Sequence, residues 1–198
     1  ADQFIFETSK IEFLEEGNLI LAEQGKAKSI DEDLVIKAKK FEYRKDKKII
    51  KAFNGIAFFK SNNLEIKFGE IISNQLTQIT TAKNNVEIYD LDEKLSVKTE
   101  LVIFNKMDNI LESPTPSIIE DKTNNTLKSS NFNYNLNNQI LKLQNAELRD
   151  INDNDFKIEI AFLNIDTNEL IGKDVIINLN NESFNKENEP RIKGRSIE

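Results

Sequence analysis

A short apolar pattern recurs along this chain at intervals of about thirty residues, and it constrains the fold more than any other feature. Each copy starts at an apolar anchor and usually places further apolar or aromatic residues two, seven, nine and fifteen positions later. Because one such unit cannot bury its apolar face alone, the repeat predicts an elongated stack of units with a continuous interior. The six anchors are Phe4, Leu34, Leu64, Leu95, Leu127 and Phe156, of which the fifth starts the weakest copy.

Turn signals divide each unit into two strands. Clusters of Asp, Asn and Ser precede the anchors, as in 31–33 and 61–63, and a second turn zone follows about ten residues later, as in 45–47. The stretches between turns are rich in Ile, Val, Phe and Thr and alternate with period two, which is typical of strands. Each unit is therefore predicted to be a long β-hairpin, and the chain an antiparallel meander with almost no helix. Pro114 and Pro116 are expected to interrupt one strand.

The alternation shifts by one residue within the forward strands. In the second unit the apolar side chains occupy even positions up to Ala38 and odd positions from Phe41 onwards. A one-residue slip would turn every later side chain to the other face, so the strand must bulge or bend between these residues. The same shift recurs in the next two units, and Gly25 and Gly55 lie one period apart on the returning strands. Each long strand is thus predicted to pass from one sheet into a second, facing sheet.

The composition excludes several classes of function. The chain has no Cys, His or Trp, which rules out a disulfide framework, a Cys/His zinc site and His-based catalysis. The net charge of −7 argues against a nucleic-acid partner. No apolar run approaches the roughly eighteen residues of a membrane-spanning helix. We expect no cofactor, no metal and no catalytic residue.

Two stretches resemble a known family. Residues 22–27, 34–43 and 50–55 are similar to the "A-x-G-x-V … L-x-A-x-x-x-x-Y … A-x-G-x-V" rhythm of OstA-like domains, which build the periplasmic bridge for lipopolysaccharide transport. Residues 188–196, and 171–175 before them, resemble the segment that precedes the barrel in the LptD family of outer-membrane lipopolysaccharide-assembly proteins, particularly the alphaproteobacterial members. On this resemblance the chain is identified as an OstA-like amino-terminal periplasmic domain of the LptD type.

The resemblance implies an all-β fold, a repetitive antiparallel β-jelly roll of about six hairpin repeats whose two facing sheets are partly open. It implies an OstA-like domain over residues 1–187 and a linker over 188–198 that leads to a C-terminal outer-membrane β-barrel, which this sequence lacks. The expected location is the periplasmic side of the cell outer membrane. Relatives use cysteines to tie this domain to the barrel, and here there are none. The implied barrel junction is formed by Pro190, Arg191, Lys193 and Gly194.

The function implied by the resemblance is that of a non-catalytic apolar conduit. It would receive lipopolysaccharide from the periplasmic bridge and deliver it to the barrel, with the acyl chains inside and the sugars in water. Burying one methylene contributes about 0.8 kcal/mol, so a continuous apolar interior removes the barrier to crossing an aqueous gap. The predicted lipid-binding interior consists of Ile36, Ala38, Phe41, Tyr43, Ile66, Phe68, Ile71, Val97, Val102, Phe104, Ile158, Leu163 and Ile165.

The resemblance also implies partners at both ends. The amino-terminal edge strand would join the soluble periplasmic bridge protein of the same transport system by β-strand addition. The chain's own C-terminal barrel, with its plug lipoprotein, is the expected partner at the other end. The predicted partner edge consists of Phe4, Phe6, Ser9, Ile11 and Phe13.

Three alternatives stay open from the residues alone. The chain would also suit a soluble periplasmic bridge protein of the same family, or a purely structural stack. It would suit a secreted β-solenoid that binds or cleaves carbohydrate, although the available acids lie in an Asn-rich turn without ligand-like spacing. Those acids are Glu147, Asp150, Asp153 and Asp155.

Overall fold

The computed structural model describes residues 3–150 and 152–178, and the backbone of 191–197. This part of the chain is almost entirely β-structure, with two short 3₁₀ turns at Glu15–Gly17 and Lys60–Asn62. The strands are β1 (Phe4–Leu14), β2 (Leu19–Ser29), β3 (Leu34–Arg44), β4 (Ile49–Phe59), β5 (Leu64–Asn74), β6 (Ile79–Asp90), β7 (Leu95–Asn105), β8 (Ile110–Ser113), β9 (Ser117–Glu120), β10 (Thr126–Ser129), β11 (Asn131–Asn135), β12 (Ile140–Arg149), β13 (Asp155–Asn164), β14 (Leu170–Asn178) and β15 (Arg191–Ile197).

The strands form one antiparallel, hydrogen-bonded sheet in chain order, which confirms the predicted meander of hairpins. The order branches at β7, which pairs with β8 through one end and with β9 through the other, and the branches rejoin at β12, which pairs with β11 and β10. The segment between β8 and β9 contains Pro114 and Pro116, which have no N–H to give to a ladder. The predicted interruption of one strand is therefore confirmed.

A line of irregular residues crosses the sheet midway along the strands, and we call it the crease. Pairing skips about one residue at this line in each long strand, and on the returning strands the skipped residue has a left-handed backbone, with φ of 48° at Gln24 and 53° at Asn54. These are β-bulges, which bend a strand. The bend predicted between Ala38 and Phe41 is confirmed at Lys39. The crease consists of Ser9, Gln24, Lys39, Asn54, Gly69, Asn84, Asn85, Glu100, Asn145, Glu159 and Asp174.

Glycine is required beside the crease because neighbouring backbones approach closely there. A Cβ added at Gly55 would lie 2.1 Å from the carbonyl oxygen of Lys37, and one at Gly25 would lie 2.1 Å from that of Glu7. Real side chains do not tolerate such contacts, so the two glycines mark the matching corner that their one-period spacing predicts.

The crease divides every long strand into two halves, so the sheet has two leaves. The first leaf contains residues 4–8, 25–29, 34–38, 55–59, 64–68, 86–90, 95–99, 117–120, 126–129, 146–149, 155–158 and 175–178. The second leaf contains residues 10–14, 19–23, 40–44, 49–53, 70–74, 79–83, 101–105, 110–113, 131–135, 140–144, 160–164 and 170–173.

The two leaves fold against each other. The rings of Phe59 in the first leaf and Phe104 in the second have centroids 4.9 Å apart in a T-shaped contact. Their strands, β4 and β7, are three positions apart and would be separated by about 14 Å in a flat sheet. The sheet is therefore bent over along the crease, and the predicted β-jelly roll with two facing layers is confirmed.

The core lies between the leaves and runs through the stack without a break. Apolar side chains that face each other on successive strands form an interior row from β1 to β14, and every member is buried or half-buried. The row consists of Phe6, Ala27, Ile36, Ala57, Ile66, Ile88, Val97, Ile119, Leu127, Leu148, Phe156 and Ile177.

The last described strand falls within the stretch that the sequence suggested as a linker. Residues 191–197 form β15, which pairs antiparallel with β14, for example Lys193 with Ile176 and Gly194 with Val175. This pairing satisfies the backbone groups that the edge of β14 would otherwise expose. Of the predicted barrel junction, Arg191, Lys193 and Gly194 lie in this strand, and Pro190 lies outside the described residues. The division of the chain at residue 188 stays a prediction.

Candidate functional site

All thirteen side chains predicted to bind lipid belong to the space between the leaves. Twelve are buried, and Ala38 is half-buried against the same core. Both leaves contribute, for example Ile66 from the first and Ile71 from the second, because the strand bends between them. Their role in binding lipid stays a prediction, but the structure brings them together along one interior.

The returning strands contribute residues that the sequence argument missed. Ala22, Ala52 and Ala82 recur at intervals of thirty residues and are buried, each on a strand that lies between two strands bearing larger side chains. In the ladder, for example, Ala52 lies between Phe41 and Ile71. Alternating large and small side chains fill such an interior without voids. The thirty-residue spacing of the alanines was the signal that would have identified them.

The far edges of the leaves, opposite the crease, are joined by side chains of the turns. Four contacts link a turn of the first leaf to a turn of the second, and we call these eight residues the seam. Three of the pairs are separated by 44, 46 and 47 residues, or about one and a half repeats. The contacts are Asp33 Oδ2 to Lys106 Nζ (2.5 Å), Asn62 Nδ2 to Asn109 Oδ1 (3.0 Å), Gln139 Nε2 to Glu93 Oε1 (2.5 Å) and Lys122 Nζ to the carbonyl oxygen of Asp166 (3.0 Å).

The ion pair of the seam is largely shielded from water. Asp33 Oδ1 accepts the backbone N–H of Ser61 at 2.7 Å, and the ammonium of Lys106 compensates Oδ2, which has no hydrogen bond otherwise. Burial alone would raise the pKa of Asp33, but the contacts with Lys106 and Ser61 outweigh it and lower the pKa. Asp33 is therefore held as a carboxylate at neutral pH.

Two tyrosines of the second leaf also reach across to the first. The hydroxyl of Tyr134 donates to Asp90 Oδ2 at 2.9 Å, and both residues are buried. Burial, followed by the charge of Asp90, raises the pKa of Tyr134, so the phenol stays a neutral donor. The hydroxyl of Tyr43 accepts the backbone N–H of Gln3 at 3.1 Å. These pairs are separated by 44 and 40 residues, which is close to the separation in three of the four seam contacts.

A cluster of hydroxyl groups lies where the strand breaks between β8 and β9. Thr99 Oγ1 is within 3.0 Å of the hydroxyls of Ser113, Thr115 and Ser117, and these groups also bond the nearby backbone. They satisfy the groups that the broken ladder leaves unpaired. The hydroxyl of Ser129 is buried beside them and has no hydrogen-bond partner. Here the apolar lining next to the crease is locally polar.

The predicted partner edge divides into a covered part and an exposed part. Phe4 is buried, and Phe6 is half-buried with its ring 5.9 Å from that of Phe41. Ile11 and Phe13, beyond the crease, are 43% and 59% exposed. No strand in the described part of the chain pairs with the outer edge of β1. β1 thus presents both an unpaired strand edge and uncovered apolar side chains.

The exposed part of β1 belongs to the interior face of the second leaf. Phe13 pairs with Ile20 and Ile11 with Ala22, and both partners are buried in the core. Ser9 lies on the crease, where its hydroxyl donates to the carbonyl oxygen of Glu23 at 2.9 Å. The interior face therefore continues to the sheet edge, where nothing described covers it.

Of the carboxylates considered for carbohydrate chemistry, Glu147 and Asp155 lie in β12 and β13 and not in the expected turn, whereas Asp150 and Asp153 lie in the connection between these strands. Asp155 forms an ion pair with Arg149 at 2.9 Å, and Asp150 accepts the backbone and side-chain N–H groups of Asn154. Burial would raise the pKa of Asp150, but these hydrogen bonds outweigh it and lower the pKa. The described residues contain no group of three or more acidic side chains with metal-binding geometry.

Comparison with solved structures identifies a protein with the same fold, whereas comparisons of the sequence find no match. No protein-family model matches the chain. No curated protein sequence matches it either. Among solved structures, the chain resembles LptH of Pseudomonas aeruginosa, described as the LptA-homologous periplasmic component of the conserved lipopolysaccharide transport device, with a TM-score of 0.52 and 10% sequence identity over 68% of this chain and 95% of LptH. The likeness shows the fold. This chain has the β-jelly-roll architecture of that transport component. Within the described residues, no helix is long and apolar enough to cross a membrane.

Proposed function

We propose that this chain is an OstA-like periplasmic domain that carries lipopolysaccharide across an aqueous gap as a non-catalytic conduit. The observation that carries the proposal is the unbroken apolar interior from β1 to β14, enclosed by a sheet folded on itself. The likeness to LptH supports it, because the same architecture occurs in a component of a lipopolysaccharide transport device.

The physical requirement is to move acyl chains without exposing them to water. Each methylene that leaves an apolar environment costs about 0.8 kcal/mol, and a lipid with several acyl chains contains dozens of them. An interior lined by Ile, Val, Leu and Phe along its length gives the chains an equivalent environment at every position, so translation meets no large barrier. This transport requires no bond to be made or broken in the conduit.

The finer proposal places this domain in an LptD-type protein at the periplasmic side of the outer membrane. It rests on the resemblance of residues 188–196 to the segment before the barrel. In this proposal residues 1–187 form the conduit, β1 receives lipopolysaccharide from the soluble bridge protein by strand addition, and the carboxyl-terminal end delivers it to the chain's own barrel with its plug lipoprotein. The position of Arg191, Lys193 and Gly194 in β15 supports the assignment, because that strand extends the sheet beyond β14.

A photo-crosslinking experiment in cells tests the conduit. The photoreactive amino acid p-benzoylphenylalanine replaces Phe104, whose ring lies in the interior, or Phe162, which is 39% exposed on the outer face beside Lys142. The conduit predicts capture of lipopolysaccharide at position 104 and not at position 162. Equal capture at both positions, or none at position 104, would contradict the proposal.

Extraction of the purified protein separates the conduit from the carbohydrate alternative. Bound amphiphile with acyl chains supports the conduit, whereas bound glycan or calcium supports a carbohydrate-active stack. A reconstituted transport assay distinguishes the LptD-type assignment from the alternative that this chain is itself a soluble bridge protein. If the chain alone restored transport in place of the bridge component, the LptD-type assignment would be wrong and the bridge assignment favoured.

A further inference from the structure

The interior assigned to lipid is closed in the described state. Ile36, Ile66, Ile71 and Phe104 are fully buried in one apolar core, so acyl chains cannot contact them unless the leaves move apart. The leaves are joined along the crease and along their far edges, where the hydrogen bonds of Tyr134 with Asp90 and of Tyr43 with Gln3 accompany the seam. Admission of lipid must open one of these two lines or proceed from an end of the stack.

Entry from an end alone does not suffice for an amphiphile with a large polar portion. At the amino-terminal end, Ile11 and Phe13 are exposed and offer a starting point for acyl chains. Sugars and phosphates cannot follow the chains into a dry interior, because burying unpaired polar or charged groups there costs several kcal/mol each. The polar portion must stay outside while the acyl chains move inside, and a slit along the whole stack is needed.

The crease is unsuited to form that slit. The long strands run through it with a continuous backbone, and ladder hydrogen bonds lie on both sides of each bulge. Gly25 and Gly55 bring neighbouring backbones close together at this line. Opening the crease would break the sheet itself.

The seam, in contrast, can open without breaking the sheet. Its contacts are made by side chains of turns at the edge of the leaves, and no strand pairing crosses it in the described residues. The contacts of Asn62, Glu93 and Lys122 lie at the solvent boundary, where amide and ammonium groups can exchange their partners for water, or for the hydroxyls and phosphates of a lipid, with little net loss. The shielded pair of Asp33 and Lys106 costs more to open. The bulged crease on the other side is a natural hinge.

We propose that the seam is a lateral latch, which opens pair by pair to admit lipopolysaccharide sideways and to let its polar portion move along the slit. This inference rests on the proposed function. The contacts recur once per hairpin unit, at residues 62, 93 and 122 in the first leaf and 109, 139 and 166 in the second. One contact can therefore open around the lipid while those ahead and behind stay closed.

Reversible crosslinking of the seam tests the latch. The chain contains no cysteine, so Asn62→Cys with Asn109→Cys introduces the two thiols that are needed. A short bis-methanethiosulfonate reagent bridges the two thiols, and a reductant releases the bridge. The matched control, Glu42→Cys with Lys51→Cys, bridges two paired positions of β3 and β4 within the second leaf. The probe is lipopolysaccharide with a fluorophore on its sugar portion, and its uptake is followed over time.

The latch predicts that the seam bridge slows uptake at least about tenfold, that reductant restores the rate, and that the control bridge has no effect. A second bridge, Glu93→Cys with Gln139→Cys, is expected to block as well, because the polar portion must pass each contact. Unchanged uptake with either seam bridge in place would overturn the latch and leave the conduit intact. If neither the reduced variants nor the wild type took up the probe, the proposed function itself would be wrong, and the latch with it.

An opening variant gives an independent readout. Asn62→Ala removes the seam bond to Asn109 without adding bulk and keeps the bond from Asn109 to Asn137. We expect uptake to become several-fold faster while thermal unfolding changes little. Slower uptake by this variant at unchanged thermal stability would contradict the latch, because the side chains would then assist uptake and not restrain it.

Discussion

In the second leaf, apolar side chains that face each other on successive strands are covered in the middle of the stack and uncovered at its amino-terminal end. Phe13, Ile20 and Tyr43 follow one another on β1, β2 and β3, yet Phe13 is 59% exposed and Tyr43 is fully buried. The rings of Phe4 and Phe6 in the first leaf pack on Tyr43 at 5.3 and 6.0 Å, whereas nothing described in that leaf reaches Phe13. Burial in this fold is therefore decided by the opposite leaf and not by neighbours in the sheet.

The stagger between the leaves explains the difference. Apart from the ion pair of Asp33 with Lys106, contacts across the interior join residues 35 to 47 positions apart, so each half-strand of the second leaf faces a half-strand two or three strands earlier in the first. For β1 and β2 no such half-strand exists within the described residues. The second leaf thus projects beyond the first at this end, with its interior face exposed.

The largest effect is expected for Ile66→Asp in the covered middle. Ile66 is fully buried in the apolar core, and an unpaired carboxylate there costs at least about 4 kcal/mol, a large fraction of the stability of a typical domain. We expect loss of the cooperative unfolding transition in urea. Ile56→Asp, on the outer face of β4, is the control and should unfold almost as the wild type does. Cooperative unfolding of Ile66→Asp at an unchanged midpoint would show that the middle is not dry.

A smaller effect is expected for Tyr134→Phe, which removes one hydrogen bond between the leaves. The phenol donates to the buried carboxylate of Asp90, and loss of a hydrogen bond to a charged group costs about 1.5–3 kcal/mol. The control is Tyr89→Phe, because Tyr89 bonds Glu87 within the first leaf at 2.8 Å near the surface. Chemical denaturation measures both variants. Equal losses would mean that contact between the leaves adds nothing beyond an ordinary surface hydrogen bond.

The sequence predicted where each strand bends into two leaves, but it did not predict which residues of one leaf face which residues of the other. The period-two alternation is strict enough that its slip between Ala38 and Phe41 located the crease to within one residue. The pairing of Asn62 with Asn109 was not predictable, because both lie in Asn-rich turns that read as ordinary solvent-facing loops. Which turns meet depends on sheet twist summed over three strands, and a local pattern does not encode that sum. For the same reason, Phe13 and Tyr43 look alike in the repeat although only Tyr43 is covered.

The ion pair of Asp33 and Lys106 in the seam is expected to change the free energy of unfolding by less than the Tyr134→Phe substitution does, and its contribution depends on pH. The pKa of Asp33 is lowered in the folded state from its ordinary value of 3.8. Its contribution to stability is therefore fully present above that ordinary value and is lost as pH falls through the lowered folded-state pKa. The difference in stability between the wild type and Asp33→Asn should be constant near neutrality and shrink in acid. In a Lys106→Gln background most of this pH dependence should disappear, as a double-mutant cycle would show.

The smallest effect on stability is expected for Phe13→Ser at the uncovered end. Because Phe13 is mostly exposed, the substitution should change the free energy of unfolding by no more than about 0.5 kcal/mol. Its effect on docking should be large. A partner whose sheet joins β1 by strand addition and extends the first leaf by two or three strands would bury this ring, and buried aromatic anchors dominate binding energy. We expect the affinity for the proposed partner, the soluble bridge protein, to fall at least about tenfold. Leu76→Ser, at a turn position that is 61% exposed, is the matched control and should leave affinity unchanged. Equal affinities for the two variants would place the docking surface away from the second leaf's projecting end. Docking would then not account for the exposed ring of Phe13.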